Sequence, residues 1–154
     1  GDVINFIPPQ KAAKLAYEMD LVDGRFCPVN GETMESLRHA NIHVIGDSVI
    51  AGDMPKSGYS ANTQAKVVAV QINRLLSGQD LVEPMYSNVC FSRVSGEYGV
   101  SIADVYRLDR AANKIIKTPE AGGVSPLNAN HQINRMEAFY QAAWMKNFEV
   151  DCFG

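Results

Sequence analysis

Between residues 42 and 76 the chain passes from a short apolar run to a helical repeat. Ile42 to Ile45, bounded by Asn41 and Gly46-Asp47, reads as a buried parallel strand. Ala61, Ala65, Val68, Ile72 and Leu75 then recur at spacings of four, three, four and three. That spacing places them on one helix face, with Gln64, Lys66, Gln71 and Arg74 elsewhere. Ser60 is placed to cap the start of this helix, and Gly78 suits the left-handed position after its last turn.

The rest of the pattern divides around this pair. VINFIPP predicts a strand ended by Pro8-Pro9, and Gln10 to Met19 a helix. Residues 20 to 41 read as irregular, with a short strand near Arg25 to Val29 and a turn at Asn30-Gly31. A boundary falls near Gln79 to Pro84, where the period changes from helical to alternating. Tyr86 to Ser92, Gly99 to Leu108 and Lys114 to Thr118 are predicted strands, the last two joined by the turn DRAAN. Pro119 to Pro126 reads as a loop around Gly122-Gly123. Ile133, Met136, Phe139 or Tyr140, Ala143 and Trp144 then predict a second amphipathic helix, followed by a short tail. The expected fold class is α/β followed by a small α+β layer of three antiparallel strands and a helix.

Composition narrows the function classes. The 154 residues are 46% hydrophobic and 20% charged, as in an ordinary globular protein, and no run is long enough to span a membrane. A net charge of −3 without a basic face argues against a nucleic-acid partner. Cys27, Cys90 and Cys152 and the three histidines are scattered, so no metal site is legible. An odd cysteine count leaves at least one thiol free, or paired with a cysteine elsewhere.

The chemistry concentrates in HVIGDSVIAGDMPKSGYSANTQAK, residues 43 to 66. In open α/β sheets ligands collect beyond the carboxyl ends of strands, where Asp47 is expected and could accept from sugar-like hydroxyls. The amides of the helix start, expected at Ser60 to Thr63, favour an anion or an electron-rich carbonyl. A reduced flavin, with ribityl hydroxyls and a pyrimidine edge that becomes anionic, meets both demands. A simple turn in which Asp47 caps local amides meets the same spacing. No GxGxxG follows a strand, so the usual pyrophosphate-binding turn is absent and the segment reads as half a site.

VINFIPPQKA, NIHVIGDSVIAGDMPKSGYSANTQAK, VCFSRVSGEYGVSIADVYR and SPLNA together resemble the C-terminal portion of the flavoprotein subunit of flavocytochrome c sulfide dehydrogenase. That family is related to sulfide:quinone oxidoreductases and to the flavin disulfide reductases. The resemblance implies a piece of a longer chain: residues 1–22 leaving an NAD-like middle domain, 23–80 completing a Rossmann-like FAD-binding domain, and 81–154 forming an interface domain. It implies FAD as cofactor, with any covalent attachment outside this segment.

By the same resemblance, Asp47 would bind the ribityl chain, with Gly46 allowing close backbone approach. Ser57, Gly58, Tyr59, Ser60 and Ala61 would face the pyrimidine edge. Cys90 would be half of a redox-active disulfide, its partner lying in the absent middle domain. Trp144 would lie near the flavin, and Ile7-Pro8-Pro9 would wall the pocket. Judged by spacing alone, Cys90 is a small buried strand residue, Trp144 is core, and Cys27 and Cys152 are structural, as buried thiols or in a stabilising disulfide. The implied chemistry is oxidation of sulfide through the disulfide and flavin, with electrons passed to a c-type cytochrome subunit in the periplasm. Two alternatives stand beside it: a sulfide:quinone oxidoreductase, and a non-catalytic module that docks the cytochrome. The polar residues of the last helix, Asn134, Arg135, Glu137, Gln141 and Lys146, favour a soluble acceptor.

Overall fold

A computed structural model describes residues 1–154. Its first half holds α1 (Lys14–Glu18), β1 (Cys27–Pro28), a 3-10 turn (Gly46–Ser48), β2 (Val49–Ile50) and α2 (Gly58–Leu76). Its second half holds β3 (Met85–Ser95), β4 (Tyr98–Asp109), β5 (Lys114–Val124) and α3 (His131–Phe153). The expected α+β layer is present: β3, β4 and β5 form an antiparallel meander, and α3 rests on it with Ala138 over Gly99.

The parallel element is much smaller than expected. Ile42 to Ile45 is not a strand, because its backbone is spent on the preceding loop: Ser36 N donates to Ile42 O, and Val44 N to Met34 O. The parallel pair is instead β1 with β2, two residues each. VINFIPP forms no strand either, since it has no neighbour to complete a ladder, and Val3, Ile4, Phe6 and Ile7 are exposed. α1 covers only part of Gln10 to Met19; its N-cap Ala13 offers no side-chain acceptor, and the chain leaves the helix at Asp20 with φ +53°.

β5 runs straight through the predicted loop at 119–126. Asp104 pairs with Gly122 but Tyr106 with Lys117, so residues 118–121 bulge opposite Val105 and the strand then resumes. The turn chemistry of Pro119 and Glu120 belongs to that bulge, where Glu120 has φ +61°.

Both long helices are turned from the faces their apolar residues predict. α2 buries Ser60, Gln64 and Gln71, while Leu75 is exposed and Ala61, Ala65 and Ile72 are only half-buried. The glutamines go inside because every contact they make is a specific bond. Gln64 Oε1 accepts from Gly46 N at 2.8 Å. Gln71 Nε2 donates to Glu32 O at 3.1 Å and Val82 O at 2.8 Å, and its Oε1 accepts from Val82 N at 3.2 Å. α3 likewise buries Asn134 and Ala138, leaves Ile133, Met136, Phe139 and Tyr140 exposed, and extends through the predicted tail.

One core crosses the middle of the chain. Val29, Met34, Val49 and Met54 pack with Tyr86, Tyr106 and Ile115 of the sheet. Tyr86 is fully buried, its hydroxyl donates to Gly31 O at 2.9 Å, and burial holds that hydroxyl well above the usual range. Tyr86→Phe therefore costs about 1 to 2 kcal/mol in urea unfolding, since the Gly31 carbonyl loses its donor in a dry site. An unchanged midpoint would contradict that bond.

Candidate functional site

Three elements meet around an open cavity of about 410 Å³. The start of α2 contributes Ser57, Gly58 and Tyr59; β3 contributes Val89, Cys90, Phe91 and Arg93; α3 contributes Gln141, Ala142, Trp144 and Met145. Alternation along β3 makes this possible, because neighbouring residues point to opposite faces of an edge strand that both helices touch. Asn62 donates to Asp151 at 3.2 Å and Lys66 pairs with it at 2.6 Å, tying the end of α3 to α2.

Aromatic stacking shapes the α3 side. The Tyr59 and Trp144 rings lie 5.1 Å apart at 19°, and Trp144 and Phe148 lie 5.2 Å apart at 27°, with Phe91 at 6.3 Å from Trp144. This wall suits a flat, conjugated ligand. It also carries a buried acceptor with no donor, Gln141 Oε1, which a ligand N–H could satisfy after a small side-chain turn.

The start of α2 differs from the sequence expectation. Ser57, not Ser60, is the cap: its backbone is extended and its Oγ accepts from Ser60 N at 3.0 Å. Two serines three residues apart both satisfy capping grammar, and both hydroxyls donate to Asn88 Oδ1. The amide of Ser60 is thereby spent, and that of Ala61 donates to Ser57 O. The free amides are those of Gly58 and Tyr59, at the cavity rim rather than at residues 60 to 63.

Five of the sequence-predicted residues therefore line one cavity: Ser57, Gly58, Tyr59, Cys90 and Trp144. Cys90 is exposed there, not a buried strand residue, and its thiol is free. Ser60 is buried behind the wall, and Ala61 packs toward Gly46. Gly46 and Asp47 lie in the 3-10 turn, where Gly46 has φ +75° and borders a separate, smaller cavity with Lys56 and Gln64. Pro8 lies in the exposed N-terminal stretch, apart from these residues. Cys27 is fully buried, and burial pushes its thiol up; Cys152 is exposed near the end of α3, so these two are neither paired nor alike.

Sequence reasoning missed Lys56 and Asn88. Lys56 Nζ donates to Asp47 O at 2.6 Å and Val49 O at 2.8 Å and lies 3.8 Å from the Phe26 ring centroid. Burial lowers its pKa, against the opposing pull of Asp47 and Cys27. It clamps the turn that carries Asp47, a role invisible in MPKSG because its acceptors are backbone carbonyls. Asn88 lies two residues before Cys90 on the same side of the strand, a position that alternation alone would have flagged.

No helix is long and apolar enough to cross a membrane. Residues 82–153, which comprise β3, β4, β5 and α3, match the family described as "Flavocytochrome c sulphide dehydrogenase, flavin-binding". The sheet-and-helix layer that supplies Cys90 and Trp144 is thus similar to the flavin-binding domain of that flavoprotein family, and the cofactor consistent with it is FAD.

Proposed function

We propose that this chain is the C-terminal part of an FAD-dependent sulfide dehydrogenase that oxidises sulfide through a disulfide and flavin and passes electrons to a c-type cytochrome subunit in the periplasm. The observation that carries the reading is the convergence of Cys90, Trp144 and the free amides of α2 on one cavity, Cys90 and Trp144 lying within the flavin-binding family match. In this reading residues 23–80 complete a Rossmann-like FAD-binding domain entered from a middle domain at residues 1–22, and residues 81–154 form the interface domain.

Cys90 forms half of a disulfide whose other cysteine lies outside this chain. Hydrosulfide attacks the partner sulfur, so one S–S bond forms as the other breaks: HS⁻ and the disulfide become a partner persulfide and a Cys90 thiolate, with charge conserved. FAD, when bound, would supply a two-electron acceptor able to pass electrons on singly. The residues of this chain orient and stabilise that exchange. The Gly58 and Tyr59 amides favour negative charge at the pyrimidine edge, as helix starts do for anions. Asp47 would accept from the ribityl hydroxyls with Gly46 giving close approach, and Tyr59 and Trp144 would lie beside the ring.

The isolated 154-residue chain binds FAD weakly or not at all, since it has no pyrophosphate-binding turn, whereas the longer flavoprotein holds one FAD and copurifies with haem. Titration of flavin fluorescence measures the first and absorption spectra the second. Tight stoichiometric binding by the isolated chain would overturn the half-site reading.

One observation favours a quinone acceptor instead: Ile133, Met136, Phe139 and Tyr140 are exposed on α3, an apolar stripe suited to a membrane surface. Sedimentation of the flavoprotein with liposomes would select this reading; recovery in the supernatant with haem selects the cytochrome.

A further inference from the structure

Asn88 is buried, 3% exposed, on the same side of β3 as the exposed Cys90. A buried primary amide needs partners for both its oxygen and its nitrogen, and Asn88 has three. Its Oδ1 accepts from the Ser57 hydroxyl at 2.5 Å and from the Ser60 hydroxyl at 3.1 Å. Its Nδ2 donates to Cys90 Sγ at 3.2 Å. The orientation is set by the helix cap: Ser57 Oγ already accepts from Ser60 N at 3.0 Å, which leaves its proton for Asn88. A flipped amide would set its NH2 against both hydroxyls and turn a lone pair toward sulfur.

We infer that Asn88 is a positioning residue for Cys90, holding the sulfur at the cavity wall and stabilising negative charge on it, with the α2 cap locking the amide as a donor. The role rests on the reading of Cys90 as the reacting sulfur. A disulfide sulfur is a weak acceptor and a thiolate a strong one, so the Asn88 bond strengthens as the S–S bond opens and charge arrives at Cys90. The same amide joins that sulfur to the helix start whose free N–H groups line the cavity.

The test compares alkylation of Cys90 with that of Cys152 by iodoacetamide at neutral pH. It uses the longer flavoprotein after mild reduction, with each site quantified by peptide mass spectrometry. Cys152, exposed near the end of α3, serves as the internal reference. Asn88→Asp keeps an oxygen facing both serines but turns an anion toward sulfur, so the Cys90 to Cys152 rate ratio falls roughly tenfold or more. Ser57→Ala unlocks the amide and lowers the ratio by a smaller factor. A purely structural role predicts no fall, because Cys90 is already exposed and loosening the wall leaves its access unchanged or greater. An unchanged or raised ratio in folded Asn88→Asp overturns the inference, and if that variant does not fold, an unchanged ratio in Ser57→Ala does so. Alkylation requires neither sulfide nor turnover. A lowered ratio together with sulfide oxidation that survives loss of Cys90 would therefore sink the proposed function and leave standing only the Asn88 bond and its stabilisation of charge on Cys90.

Discussion

On the proposed function, Cys90→Ser is expected to abolish sulfide-driven flavin reduction in the longer flavoprotein, while FAD stays bound. Serine is nearly isosteric and Cys90 is exposed at the cavity wall, so the substitution removes no core volume. Its hydroxyl can still accept from Asn88, but no disulfide can form and hydrosulfide has no sulfur to attack. Loss of a covalent participant is worth roughly a thousandfold or more in rate. Stopped-flow bleaching of the oxidised flavin by sulfide measures it, with Cys152→Ser as a control expected to keep the parental rate. A Cys90→Ser rate within a few-fold of the parent would show that the redox-active sulfur lies elsewhere. Cys27→Ser behaves differently from both, since that thiol is fully buried beside Ala12, Ala16 and Leu21 and its loss is felt in stability.

Gly52→Ala unfolds the protein far more readily, with an expected loss of about 3 to 5 kcal/mol from backbone strain and overpacking together. Gly52 has φ +61°, a region a side chain resists, and its added methyl would lie 2.0 Å from the Ile115 carbonyl oxygen and 2.9 Å from the carbonyl carbon. Both obstacles are backbone, so no rotamer change relieves them. The loop must retreat from β5, which breaks the Asp53 N to Ile115 O bond of 2.9 Å. It also pulls Asp53 from Lys114, whose hydrogen bond, with that of the Lys117 amide, holds the carboxyl below its usual range. Ile115 sits in the core shared by both halves of the chain, so the disturbance reaches Tyr86 and Tyr106. Guanidinium unfolding followed by fluorescence gives the value. Gly123→Ala, which meets nothing within 4 Å, is the matched control expected to stay within about 0.5 kcal/mol. A loss below about 1 kcal/mol for Gly52→Ala would mean that the loop does not dock on β5.

The readable parts of the site were those written in local chemistry. Ser57 to Tyr59 lie where a loop becomes a helix, and the helix repeat announces itself without any tertiary partner. Cys90 and Trp144 stood out through the resemblance and not through spacing, since neither residue type in a strand or amphipathic helix signals a ligand. What misled the local reading was redundancy. Ser57 and Ser60 obey the same capping rule, and what distinguishes them is that Ser57 Oγ accepts from Ser60 N while Ser60 is buried with its hydroxyl on Asn88, 28 residues away in sequence.

By itself the sequence determined the helix over residues 61 to 76, the three-stranded meander with its DRAAN turn, the second long helix, and the resemblance that points to FAD. Each follows from periodicity or turn chemistry acting over a few residues, or from residue identities in order. Only the tertiary structure decided which helix faces turn inward. Apolar spacing measures how favourable burial would be, but Gln64, Gln71 and Asn134 are among the residues buried, the glutamines on specific bonds to loops that the sequence does not mark. The tertiary structure also decided that Ser57, Cys90 and Trp144 share one wall, because two helices and an edge strand far apart in the chain must first pack before their side chains can meet.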